Sequence, residues 1–169
     1  MDLHEFKTYN IKQKLGIEDS RFGKIFSFID FGNVNNWFSE DKMWQDKAVK
    51  EGEKIFIDLE KLFDFSKYFS NRSRFYYGHD PKKVGSMKFL GKTKYVFGEN
   101  QVFTKPLQQI KHYLKDNESS DRSINEDQEG KYIYLPKCNF DVEICIDAIR
   151  LINKYDTFCL FSGDADFIS

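Results

Sequence analysis

Apolar residues run almost unbroken through Ile25, Phe26, Phe28 and Ile29 and stop at Asp30. A short run rich in β-branched and aromatic residues predicts a strand buried on both faces. The next segment, Phe31-Gly32-Asn33-Val34-Asn35-Asn36-Trp37, has turn chemistry that cannot continue a strand. Over residues 58–70, Leu59, Leu62, Phe63, Ser66 and Phe69 recur at the spacing of an amphipathic helix. A second strand is predicted at 74–78, a helix around 84–90, and a third strand at 101–104 with Pro106 marking an edge or a bend. Segments 107–114 and 131–135 are expected to pair as a hairpin, with 116–129 as a mobile connecting loop. Residues 141–153 predict a buried helix with Val142, Cys145, Ile146, Ile149 and Ile152 on its inner face. Residues 157–161 are a last apolar strand, closed by Ser162-Gly163-Asp164-Ala165-Asp166. Residues 1–23 are polar with scattered apolar positions and read as an arm or short helix.

Strands that alternate with helices imply an α/β fold: three layers around a mostly parallel sheet with right-handed crossovers, plus the hairpin before the 141–153 helix. A length of 169 residues suits one core. The 18 Phe, 9 Tyr and 2 Trp supply ample apolar area for it and exclude disorder throughout. Mean hydropathy is −0.62, and no apolar run reaches the roughly 20 residues of a membrane span. The first residues lack the basic and apolar regions of a signal peptide, so a cytoplasmic protein is expected. Cys138, Cys145 and Cys159 match neither a disulfide framework nor a zinc knuckle, and Cys145 and Cys159 are expected in the core. A net charge of −1 argues against a surface that is basic throughout.

In a parallel sheet of this kind the functional crevice lies at the carboxyl ends of the strands. Asp30 ends the first strand, Asp164 and Asp166 follow the last, and Asp141 opens the helix leading into it. Two unit charges about 4 Å apart repel by roughly 4 kcal/mol at an effective dielectric near 20. Several carboxylates in one crevice therefore call for a cation or protons. The ligands are oxygen only, which favours Mg²⁺ or Mn²⁺ over zinc and suits phosphodiester hydrolysis. Taken singly, Asp30 is as readily a turn or cap residue as a ligand, Asp141 is more readily a helix cap than a ligand, and Asp164 and Asp166 suit an Asx turn. Asp147 points about 240° around the helix from Asp141, where it can pair with Arg150 on the surface.

Three segments carry a resemblance. Ile29-Asp30-Phe31-Gly32-Asn33, the stretch from Lys137-Cys138-Asn139-Phe140-Asp141 through Asp147-Ala148, and Tyr155-Asp156-Thr157 leading into Ser162-Gly163-Asp164-Ala165-Asp166-Phe167 resemble the NYN domain, a branch of the PIN-like metal-dependent ribonucleases. Thr104-Lys105-Pro106-Leu107 is similar as well, and the likeness covers residues 24–169. It implies a PIN-like topology, Mg²⁺ or Mn²⁺ held by Asp30, Asp141, Asp164 and Asp166, Asn33 as the strand-end asparagine, and Asp147 as an additional acid. Cys138 stands where the family usually has a small residue. The family's domains continue past the position of Ser169 into another helix and a final strand, so the matching portion lacks those two elements.

On the substrate side, residues 67–95 hold eight bases, among them Arg74, Lys82, Lys83, Lys88 and Lys92, against the single acid Asp80. With Tyr76, Tyr77, Phe89 and Tyr95 interleaved, this composition suits a path for single-stranded RNA. The expected protein is thus a Mg²⁺- or Mn²⁺-dependent endoribonuclease with Asp30, Asn33, Asp141, Asp164 and Asp166 at its centre. Rival readings are a non-catalytic RNA-binding or partner-recruiting module and a small-nucleotide phosphohydrolase. Trp37, Phe38 and Trp44 are expected in the core; exposed, they would offer a surface to a second copy or another protein.

Overall fold

The computed structural model describes residues 1–38, 41, 43–44, 47–48, 50, 53, 55–115, 118–164 and 167, with the backbone alone at 43–44 and 47–48. Two helices, α1 (Leu3–Leu15) and α2 (Asp19–Phe22), precede strand β1 (Ile25–Asp30) and the single turn α3 (Phe31–Val34). The short strands β2 (Met43–Trp44) and β3 (Lys47–Ala48), helix α4 (Leu59–Lys67), strand β4 (Arg72–His79) and helix α5 (Val84–Phe97) follow. Strands β5 (Val102–Pro106), β6 (Gln108–Tyr113), β7 (Asn125–Asp127) and β8 (Gly130–Lys137), helix α6 (Asp141–Arg150) and strand β9 (Thr157–Phe161) complete the order.

β1 is central: all six of its residues are buried, the first five apolar or small, and only Asp30 at its end brings a charged group into the sheet. It pairs in parallel with β4 on one side and β9 on the other, and β5 adds beyond β4, giving the order β5-β4-β1-β9. Ile25, Ile29, Phe75 and Phe161 pack on one face against α4 and α5, while Phe26, Phe28 and Tyr76 pack on the other beneath α6. This is the three-layer α/β arrangement that the alternation of strands and helices implied. Pro106 closes the edge strand β5, where its missing N–H costs no ladder bond. The stripe on α4 is buried as expected, and Asp58 caps it by accepting from the Glu60 and Lys61 N–H groups.

β6 and β8 form the expected hairpin, and β7 adds to the far edge of β8, so part of the presumed mobile loop is a strand. Asp127 holds it there through Lys111 and Tyr113. α6 is rolled relative to its prediction. Ile144 and Asp147 face the sheet with Ala148 and Leu151, whereas Val142, Cys145, Ile146, Ile149 and Ile152 are exposed, Ile149 at 70 %. The helix carries two apolar stripes, and the inner one was hidden because the charge of Asp147 interrupts it. Asp147 does not pair with Arg150 on the surface. It forms an ion pair with Arg74 and accepts the Tyr76 hydroxyl at 2.8 Å.

Candidate active site

Strand register brings the site residues into one tier. Asp30 lies across from Tyr76 on β4, and Ile29 across from Phe161 on β9, so the residue after Phe161 arrives beside Asp30. That residue is Ser162, whose Oγ donates to Asp30 Oδ2 at 3.4 Å and accepts the Asp164 N–H at 3.1 Å. The turn α3 folds Asn33 back over the strand end, where its amide donates to Asp30 Oδ2 at 2.6 Å. From the opposite wall, Asn139 accepts the Asp141 N–H at 2.7 Å and starts α6. The N-cap position is Phe140, so Asp141 is the first residue of the helix and not its cap, and it lines the cleft.

Asp30, Asn33, Asp141 and Asp164 line one cleft of about 360 Å³, with Gly32, Tyr77, Gly78, Leu107, Lys137, Cys138 and Asn139 among the other walls. Asp30 is 5 % exposed. Burial raises its carboxyl above the ordinary aspartate value, the Asn33 bond opposes that, and the Asp141 charge raises it further. Burial also pushes the Cys138 thiol up, so it stands in the wall as an uncharged group. Gly78 lets the chain between β8 and α6 close on β4: a Cβ there would stand 2.5 Å from the Cys138 Cβ. Asp166 lies outside the described residues. Asp147, on the inner face of α6, is buried against Arg74 and is not among the cleft-lining residues.

The basic segment is dispersed. Arg74 is committed to Asp147 and lies over the Phe103 ring at 4.4 Å. Lys92 pairs with Glu60 at 3.3 Å, Lys94 with Glu99 at 3.3 Å, and Lys83 with Asp80 at 3.8 Å. Lys82 and Lys88 are exposed, and none of Lys82, Lys83, Lys88 and Lys92 is among the cleft-lining residues. Tyr76 and Phe89 belong to the core, which leaves Tyr77 at the cleft and Tyr95, 89 % exposed, on α5. Ser162, Asn139 and Lys137 reach the site without having been singled out. All three sit within the resembling segments, but their side chains carry no charge pattern that marks them.

The NYN domain model matches residues 28–169, a span that contains β1 from Phe28 onward and every cleft residue. The chain belongs to the NYN domain family. The family is PIN-like and nuclease-related, in keeping with the parallel sheet and the acidic cleft at its carboxyl edge. "Low amplitude and bright protein LabA" of Synechococcus elongatus is 42 % identical over 41 residues, which is 24 % of this chain and 22 % of that protein. The NYN chain thus spans about a fifth of that relative's length. No solved structure matches it. Among the described residues, no helix is long and apolar enough to cross a membrane.

The donor set suits a hard divalent ion, being carboxylate and amide oxygen around a carboxyl that burial and a like charge both disfavour. Among the described residues, however, no three ligating side chains stand close enough together to hold an ion as they are.

Proposed function

We propose that this NYN domain is a Mg²⁺- or Mn²⁺-dependent endoribonuclease acting on single-stranded RNA. The observation that carries the reading is the meeting of Asp30, Asn33, Asp141 and Asp164 in one cleft at the carboxyl edge of the sheet. Asp30, Asp141, Asp164 and Asp166 would hold the ion, which when bound neutralises phosphate charge and activates water. Asn33 and Ser162 both donate to Oδ2 of Asp30 and so fix its carboxylate. Lys137, exposed on the rim, offers charge to an incoming phosphate.

The test is incubation of labelled RNA and DNA with Mn²⁺, Mg²⁺ or chelator. Cleavage of RNA with either ion, abolished by chelator and by Asp30→Asn or Asp164→Asn, is expected. Equal cleavage by those variants would show the mechanism to be wrong. One second reading is a non-catalytic RNA-binding module of the same fold, supported by the family's general link to RNA. It predicts RNA binding that survives chelation, with no cleavage under any divalent ion.

A further inference from the structure

The first turn after α3 carries Trp37 back over the end of β9, with its N–H donating to the Val34 carbonyl at 3.1 Å. The indole stacks on Phe161, ring centroids 6.2 Å apart and planes within 19°. Phe161 stacks in turn on Phe69 at 6.2 Å and 11°. The three near-parallel rings, displaced sideways from one another, form an offset column that starts in the core, where Phe69 and Phe161 are 8 % and 7 % exposed, and ends at Trp37, which is 41 % exposed. The column therefore ends in an indole that solvent reaches, although the sequence led us to expect Trp37 in the core. Its end is also placed: the indole edge lies 3.5–3.6 Å from where a Cβ on Gly163 would stand. Gly163 joins Ser162, the partner of Asp30, to Asp164, which lines the cleft.

We infer that Trp37 is a base-stacking platform for single-stranded RNA, extending the Phe69–Phe161 column by one nucleobase and thereby seating the adjoining phosphate at the Asp30–Asp164 cleft. This rests on the proposed RNA substrate and adds the residue that positions it. A base suits the surface because its flat π face continues a column of flat rings, and stacking of this kind tolerates any base. Trp37 is a positioning residue and takes no part in bond breaking.

The readout is the fluorescence of Trp37 in the full chain carrying Trp44→Phe, since the sequence has 2 Trp. A ten-nucleotide oligouridylate is added in chelator, so that binding is read without cleavage. Saturable quenching is expected. Trp37→Leu, which keeps apolar cover on Phe161, should weaken binding about tenfold as read by anisotropy of a labelled oligonucleotide, and Trp37→Phe should recover most of it. In a series of oligonucleotides with one abasic position each, one position should weaken binding to the parent and leave Trp37→Leu unaffected. Trp37→Leu and parent binding the whole series alike, or RNA binding without quenching, overturns the inference. Quenching without cleavage in Mn²⁺ removes the nuclease reading and leaves the platform. Cleavage without quenching does the reverse, and absence of RNA binding together with absence of cleavage in Mn²⁺ overturns both.

Discussion

Asn33 donates its amide to Asp30 Oδ2 at 2.6 Å, so the turn that follows β1 also holds the carboxylate with which β1 ends. The bond favours the ionised form of a carboxyl that burial and Asp141 push the other way. Asn33→Ala should therefore move the acidic limb of the cleavage profile to higher pH. It should also lower the rate about 10–100-fold, as loss of a ligand-orienting partner does. A pH–rate profile in Mn²⁺ checks both.

The same carboxyl bears on stability. Its folded-state pKa lies above the unfolded value near 3.8, so its ionised form is disfavoured in the fold. That penalty is full above the folded pKa and is relieved as pH falls through it toward 3.8. In chelator, Asp30→Asn should melt higher than the parent at pH 7, by about 2–4 °C for each kcal/mol relieved. The difference should close as pH falls toward 4. Paired melts across that range decide it.

Asp147, on the inner face of α6, pairs with Arg74, the two side chains 13 % and 20 % exposed, and accepts the Tyr76 hydroxyl. Asp147→Ala leaves a mostly buried guanidinium without its counter-charge and should cost about 3 kcal/mol in urea unfolding. Tyr76→Phe removes one hydrogen bond and should cost about 1 kcal/mol. An Arg74→Met, Asp147→Leu double variant should recover most of the loss, because an apolar pair leaves no orphaned charge.

The parallel sheet, the α4 stripe and the strand-end aspartates were legible because each rests on a local pattern: a buried run, a helical period, an acid just past a strand. The roll of α6 was not. Val142, Ile146 and Ile149 form as good a stripe as Ile144, Ala148 and Leu151, and only Arg74, 73 positions upstream, settles which one faces inward. How the basic segment is partnered was hidden for a related reason. Composition counts lysines, whereas Glu60, Glu99 and Asp147, which lie outside that segment, decide which of its bases are engaged. Nor could sequence show the ring column, whose members Trp37, Phe69 and Phe161 come from three separate segments.

That partnering makes a salt prediction. Each lysine that meets a phosphate contributes about 0.7 to the slope of log affinity against log salt on a single strand. Replacing exposed Lys82 and Lys88 together with alanine should reduce the slope by up to about 1.4. Replacing Lys92 and Lys94, which pair with Glu60 and Glu99, should change it less. Anisotropy titrations from 50 to 200 mM salt, roughly the range over which such slopes are read, test the contrast.

Gly78 is packed against Cys138 and Leu107, both of which line the cleft. Gly78→Ala puts a methyl 2.5 Å from the Cys138 Cβ and 2.9 Å from Leu107 Cδ2. The hairpin root must move off β4, at a cost of about 1–3 kcal/mol. RNA cleavage should fall by more than the loss of folded protein explains, as circular dichroism and activity measured on the same sample would show.

The two walls of the cleft differ in how deeply they are anchored. Asp30 ends a strand paired on both sides, while Asp164 lies three residues beyond β9, which is paired on one side among the described residues. Backbone amides of β1 should therefore exchange with solvent only through global opening, and those around 160–164 through local fraying at much lower cost. An ion bridging the two walls would draw its affinity largely from quieting the β9 end, and exchange there would slow first as the cleft fills.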